Sequence, residues 1–357
     1  MNKKLIAAAI AAVVAAPAAV AADTTLYGKA HVDIRSTDGL VGGATNGDNY
    51  SVNSNASRLG IKGSEDLGNG LKAIFKYEMA YDIDGDAANA PISGARNAYV
   101  GLSGGFGTVL AGRHDTPAKV AFYASGTELV GDSVVDMNGI ASGVGAPNTF
   151  TEVRASNAIA YITPNFSGFT AAVAVVPGEK NGTNNTNQAA NGLADAYSMG
   201  VLYAGGGLKA GIGYEVFTSD LNGGGTAKDQ KMWQAGGSYT FGDVMVGVNY
   251  ENMSDRGGVA GVDSTSWAVV AKATFGNNYV GANYGSFDCD GDCSTTGVGE
   301  TAANTRDGSG FGIAMGHKFS KRTQVYAAYH NVDTDASSAN TAVADTSSFA
   351  LGMIHTF

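Results

Sequence analysis

Along most of this chain of 357 residues, large apolar residues take every second position and polar or charged residues the positions between. In the first such run Leu26, Ala30, Val32 and Ile34 alternate with Tyr27, Lys29, His31, Asp33 and Arg35, so all ionisable groups share one phase. Leu59 and Ile61 alternate with Arg58, Lys62 and Ser64. Leu71, Ala73, Phe75, Tyr77, Met79 and Tyr81 alternate with Lys72, Lys76, Glu78 and Asp82. A period of two held over about ten residues predicts tilted β-strands with one apolar and one polar face. The polar face is too charged for the core of a β-sandwich, so it must meet water.

The same alternation recurs at 169–175, 197–203, 208–214, 233–241, 244–250, 267–275, 280–284, 311–319 and 323–329. It ends with Phe349-Ala-Leu351-Gly-Met353-Ile-His355-Thr-Phe357, where the chain stops on an aromatic. In water such a segment would be an aggregation-prone edge. In a closed barrel facing lipid it is the last stave, paired on both sides. Aromatics gather at strand ends, as interfacial girdles do.

Connections come in two kinds. Short ones fall at 65–70, 104–107, 164–168, 205–207, 242–243, 276–278 and 320–322. Long polar ones fall at 36–56, 83–95, 114–152, 177–195, 218–230, 252–264, 287–308 and 331–347. Seven short and eight long connections alternate, and fifteen connections join sixteen strands. The pattern predicts an all-β protein: a 16-stranded antiparallel transmembrane β-barrel with short periplasmic turns and long extracellular loops. One domain over 23–357 accounts for it.

Residues 1–22 carry a different signal. Lys3 and Lys4 precede an apolar run from Leu5 to Ala16, then Pro17 and small residues up to Ala22. This reads as a removable secretory signal peptide, because the run is too short to span a membrane as a helix. No other stretch approaches the ~18 consecutive apolar residues of a membrane helix. A mean hydropathy of −0.03 would suggest a soluble protein, but lumen-facing and lipid-facing residues average out along barrel strands. Without Lys3 and Lys4 the chain keeps 20 basic against 32 acidic residues. That balance argues against nucleic-acid binding.

The two cysteines, Cys289 and Cys293, stand in Asp288-Cys-Asp-Gly-Asp-Cys293. In an exported chain they predict a small disulfide ring. The run also resembles the start of a calcium loop, as does Asp82-Ile-Asp-Gly-Asp86. In both the glycine falls at the fourth position, not the sixth, so a solvated acidic loop is the better reading and no metal site is expected.

Several phrases resemble the general porins of proteobacterial outer membranes. They are Leu26-Tyr-Gly28, Ser57-Arg-Leu-Gly-Ile-Lys-Gly-Ser-Glu-Asp-Leu-Gly-Asn-Gly-Leu71, Arg96-Asn-Ala-Tyr-Val-Gly-Leu102, Phe106-Gly-Thr-Val-Leu-Ala-Gly-Arg113, Thr163-Pro-Asn-Phe-Ser-Gly-Phe169, Ser320-Lys-Arg-Thr323 and the terminal Phe357. The matches run in order along the whole mature chain. The resemblance implies a homotrimer in contact with outer-membrane lipid and lipopolysaccharide, passing ions and small hydrophilic solutes through a water-filled channel. It also implies that the third long loop folds inward and narrows the pore.

That loop offers Glu128, Asp132 and Asp136 at four-residue spacing. Arg58 and Arg154 sit near strand ends on the polar phase, and Arg96 and Arg113 occupy the family's matching positions. The four arginines are expected to form a basic wall facing the acidic loop; the rival reading makes them ordinary wall-bracing salt bridges. Guanidinium suits such a wall because it stays ionised among like charges. Lys29, His31, Arg35, Lys72 and Lys76 are expected to line the vestibules. Phe357, with His355 and Met353 on its face, resembles the C-terminal signal read by the barrel-assembly machinery.

The signs conflict at this stage. The wall is basic, whereas acidic loops would draw cations to the mouth. Screening over roughly 8 Å weakens distant loops more than the constriction, which leans the expectation to anions. No nucleophile–histidine–acid order, cofactor-binding motif or metal cluster stands out, so no enzyme and no cofactor is expected. The alternative function is an adhesin or ligand receptor acting through the extracellular loops.

Overall fold

The computed structural model describes residues 23–39, 49–85, 92–141, 149–179, 190–221, 227–290, 305–336 and 345–357. The expected signal peptide, 1–22, and Cys293 lie outside them. Cys289 is disulfide-bonded.

Among these residues seventeen strand segments form one closed antiparallel sheet. Strand β1 (Asp23–Asp38) meets β2 (Asn49–Ser54) and β3 (Arg58–Gly68) on one edge. On its other edge it meets β17 (Thr346–Thr356), which closes the ring. Between them run β4 (Leu71–Tyr81), β5 (Ile92–Gly104), β6 (Gly107–Asp115), β7 (Arg154–Ile162), β8 (Phe169–Val176), β9 (Ala196–Gly205) and β10 (Leu208–Phe217). The circuit continues through β11 (Gln230–Phe241), β12 (Val244–Ser254), β13 (Asp263–Phe275), β14 (Asn278–Asp290), β15 (Thr305–Lys318) and β16 (Thr323–Ala336).

Segments β2 and β3 are one stave. Val32 pairs with Ser54 and Lys29 with Arg58, so 55–57 hold one residue more than the facing stretch of β1. Ala56, at φ 49°, makes the kink. The barrel is therefore sixteen-stranded, as its alternation predicts. The short turns fall where expected. The strands run further than expected at the opposite end: β1 reaches Asp38, β14 reaches Asp290, β15 starts at Thr305, and β2 lies within the expected loop 36–56. There serine, threonine, asparagine and aspartate outnumber apolar residues, so the period of two fades although the ladder continues.

The two faces are chemically separate. Ile212, Trp233, Val248, Trp267, Phe311, Leu351 and Met353 point outward and are exposed, as lipid-facing residues are. Rings pair across strands in two bands. Trp233–Tyr250, Trp267–Tyr284 and Phe311–Tyr329 lie toward the long-loop end, and Phe169–Tyr203 lies toward the short turns. The inner face carries buried Ser198, Gln234, Asn249, Glu251 and Asn283.

The largest buried apolar cluster lies inside the barrel. Phe122, Leu129, Val135, Met137, Ile140 and Phe150 of the third long loop pack on Ala268, Val270, Tyr279, Ala314 and Tyr326 of the wall. The loop is thus a second layer lodged in the lumen.

Candidate functional site in the barrel lumen

The loop begins with a built helix. Thr116 caps α1 (Pro117–Ala124) by accepting from the Lys119 N–H, and Pro117 takes the first turn, where a missing N–H costs nothing. From there the loop is fastened strand by strand. The Ala118 N–H donates to Ser198 Oγ at 3.0 Å and Gln234 donates to the Ala118 carbonyl at 2.6 Å. Ser238 donates to Ser125, Lys272 to Leu129 and Asn283 to Val135, all through loop carbonyls. Glu251 accepts the N–H and the hydroxyl of Thr151, and His330 meets the Ile140 carbonyl.

Glycine makes this close approach feasible. A Cβ at Gly200, Gly211, Gly308 or Gly310 would collide with the carbonyls of Pro117, Ala121, Ala141 and Ile140 respectively. One at Gly281 or Gly285 would collide with the Leu129 or Ile140 side chain. On the inner wall these glycines form a track in which the loop backbone lies flush.

The opposite wall, from β1 to β7, carries the charges. Arg58, Lys76, Arg96, Glu78 and Asp115 line a cavity of about 490 Å³ with Tyr27, Lys29, Lys62 and Asn97. Glu78 accepts from Tyr27 and Arg96, each at 2.8 Å, and lies 3.3 Å from Lys76. A β-bulge explains how Arg96 reaches it. Tyr77 pairs with Ala98 and Met79 with Ala95, so Arg96 and Asn97 together oppose Glu78. Both side chains then line the cavity, which strict alternation forbids. Asn97 in turn donates to Asp115 at 2.8 Å, and Arg154 lies 2.9 Å from the same carboxylate. Lys119 spans Asp115 and Glu152 at 3.3 and 3.0 Å.

Three of the expected basic residues, Arg58, Arg96 and Arg154, stand on this wall. The Arg58 side chain makes no hydrogen bond or ion pair among the described residues. Arg113 sits elsewhere: on the phase of exposed Val109, it donates to the Ala95 carbonyl at 3.0 Å and the Ser156 hydroxyl at 2.6 Å. Lys29 and Lys76 line the cavity, Arg35 pairs with Asp33 at 2.9 Å, and Lys72 is exposed near the short turn. His31 does not line a vestibule. It is fully buried, with the Tyr326 ring edge-on against it and the Tyr326 hydroxyl 2.8 Å from Nε2.

On the loop side Asp132 bonds Lys29 at 2.6 Å. Burial alone would raise its carboxyl, but the Lys29 charge and hydrogen bond outweigh it and hold it below the usual range. Asp136 has no ion pair among the described residues. It caps a short 3-10 helix (Met137–Gly139), accepting from the Asn138 N–H, and also accepts from the Asp132 N–H. Burial, then the charges of Glu152 and Asp132, push it up to about 7. Burial and Asp136 likewise raise Glu128 well above the carboxylate range. Glu152 accepts from the Tyr123 hydroxyl, which burial and that carboxylate push upward.

Glu78, Asp115, Lys119 and Glu152 were not singled out from the sequence. Glu78 stood on the inward phase of β4, and Asp115 with Lys119 forms an i, i+4 pair, so faint signals existed. Nothing in the sequence pointed to Glu152.

A model described as Gram-negative porin matches residues 7–337. The chain belongs to the Gram-negative porin family. This porin is 34% identical over 246 residues to outer membrane porin protein 32 of Delftia acidovorans, which covers 68% of this chain and 67% of that one. It is 34% identical over 221 residues to major outer membrane protein P.IB of Neisseria gonorrhoeae, covering 59% of this chain. The match spans 56% of the Neisseria protein's length. Among solved structures, the anion-selective porin from Comamonas acidovorans superposes with a TM-score of 0.72 at 24% identity, covering 94% of this chain and 100% of that one. Family and fold place the protein in the outer membrane.

Proposed function

We propose that the protein forms a water-filled channel for passive diffusion of ions and small hydrophilic solutes. The third long loop narrows it against the basic wall. A sixteen-stranded barrel is wide enough to leave an aqueous passage, and selectivity is then set where it is narrowest. The observation that carries this reading is a cavity lined by Arg58 and Arg96 together with Lys29, which latches the loop at Asp132.

The passage prefers anions. Asp132, Glu78, Asp115 and Glu152 are each matched by a cation, whereas Arg58 is not matched by an acid. Glu128 and Asp136 hold protons more tightly than ordinary carboxyls, so the loop is less acidic than its composition implies. The anion-selective porin of Comamonas acidovorans supports the same sign. Homotrimeric assembly and removal of 1–22 belong to this reading.

The test is a planar bilayer under a salt gradient. Conductance steps in threes with an anion-side reversal potential are expected, and Arg58→Gln should move the reversal toward the cation side. Cation-side reversal in the wild type would overturn the basic-wall reading. Silence from folded protein would overturn the channel and favour a ligand-binding barrel.

A further inference from the structure

Four residues from Arg58 toward the short-turn end of β3 stands Lys62, roughly 13 Å along the strand. Its register partner on β4 is Lys76. Like charges placed directly across a strand pair repel and are destabilising. Here nothing relieves them fully. The Lys62 and Lys76 ammoniums stand 5.2 and 5.6 Å from the centre of one ring, Tyr27, whose quadrupole attracts both. Lys62 has no ion pair among the described residues.

The carboxylates nearby are already shared. Glu78 serves Lys76, Arg96 and the Tyr27 hydroxyl at once. Asp115 is held by Arg154 and Lys119, and Asp23 sits in the adjoining cavity of about 340 Å³. Between Arg58, Lys62, Lys76 and Arg96 on one side and Glu78 with Asp23 on the other, positive charge is in excess. Both lysines line both cavities, so a solute leaving the constriction passes them.

We propose that Lys62, Lys76 and Tyr27 form a binding subsite for a small doubly charged anion, with carboxylate or phosphoryl oxygens, on the periplasmic side of Arg58. This rests on the channel reading and deepens it. The two ammoniums stand where two oxygens of one solute can bridge them. Tyr27 fixes their spacing from below, because its hydroxyl is tied to Glu78. A chloride ion neutralises only one lysine, so a dianion resides longer and obstructs chloride while it does. The device is a short stop beyond the constriction, weak enough to release its occupant.

The experiment measures chloride-carried conductance of reconstituted wild-type channels while sodium phosphate at pH 8, or sodium succinate, is added to one side. The expected result is a saturable fall in current with a half-effect at roughly 1–10 mM. In Lys62→Gln and Lys76→Gln the half-effect should weaken at least about tenfold. Lys62→Arg keeps the charge and should retain the fall. Arg58→Gln should shift the reversal potential yet leave the half-effect within about threefold, which separates this subsite from the constriction. A response to phosphate alone, succinate alone or both identifies which oxygens the site takes. Strictly linear, additive changes with both probes overturn the proposal, as does an unchanged half-effect in Lys62→Gln. Absence of chloride current in the wild type would instead overturn the channel reading on which it rests.

Discussion

Lys29 and Asp132 are 103 residues apart in the chain, and their charged atoms lie 2.6 Å apart. One belongs to the first strand of the wall and the other to the tip of the lodged loop. Asp132 holds φ 61°, a left-handed conformation that aspartate adopts more readily than most non-glycine residues. The pair latches the loop tip to the basic wall. Apart from Lys119, which bridges to Asp115 at the end of β6, the loop's other side-chain hydrogen bonds described above run to strands β9 through β16.

Breaking that latch should loosen the tip without unfolding the barrel. Lys29→Met and Asp132→Asn are expected to raise open-channel current noise, because the tip then moves in the narrowest section. A double-mutant cycle in urea unfolding from bilayers should return a coupling of about 1 kcal/mol, as befits a partly exposed pair. Single-channel noise equal to wild type in both variants would show that the other anchors suffice.

The glycine track makes a sharper steric claim. Gly211→Ala and Gly310→Ala each drive a methyl group into a loop carbonyl, of Ala121 and Ile140. Overpacking of this kind costs about 1–3 kcal/mol. Each variant should melt at a lower temperature and show altered conductance, since the loop is pushed toward the open lumen. Gly94→Ala is the control, because no atom lies within 4 Å of its added Cβ. If all three variants conduct alike, the loop does not lie flush.

The barrel was legible because its rule is local: a residue's neighbours two positions away reveal its face. The alternation gave sixteen staves and the short turns without recourse to distant contacts. The site was legible only in part, because bulges break that rule. Arg96 lies in the cavity since β5 carries an extra residue opposite Glu78, whereas Arg113 keeps the phase of exposed Val109. Resemblance suggested both arginines, but phase could not separate them. The glycine track was hidden altogether, because glycine's role depends on a loop distant in sequence.

Acidity should tune the passage. The carboxyls of Glu128 and Asp136 are raised, that of Asp136 to about 7, above the roughly 4 expected of unfolded carboxyls. The folded loop therefore holds protons that the unfolded chain releases. Their stabilising effect is full below about pH 4 and is lost as pH rises through 7. Over the upper part of that range the loop gains negative charge, so anion preference should weaken from pH 5 to pH 8. Asp136→Asn should flatten the dependence. A wild-type reversal potential constant over that range would contradict the raised pair.

The final residue closes the ring. Gly28 donates to the Phe357 carbonyl at 3.0 Å, and the Phe357 N–H donates back to Gly28 at 3.1 Å. The Phe357 ring covers Gly28, where any Cβ would strike it, and stacks with His355 at 6.3 Å between centroids. The first and last strands therefore meet under an aromatic ring. We expect Phe357→Ala to lower the heat-modifiable, outer-membrane fraction several-fold, because the closing seam loses its cover and the terminal aromatic is the feature that resembles the assembly signal. Phe357→Tyr keeps the ring and should restore it. Gly28→Val is the converse probe: it leaves the terminal residue intact but displaces its ring. If Phe357→Ala lowers the yield and Gly28→Val does not, recognition of the terminus controls assembly. If both lower it, closure of the seam does. An unchanged folded fraction in Phe357→Ala would remove both roles.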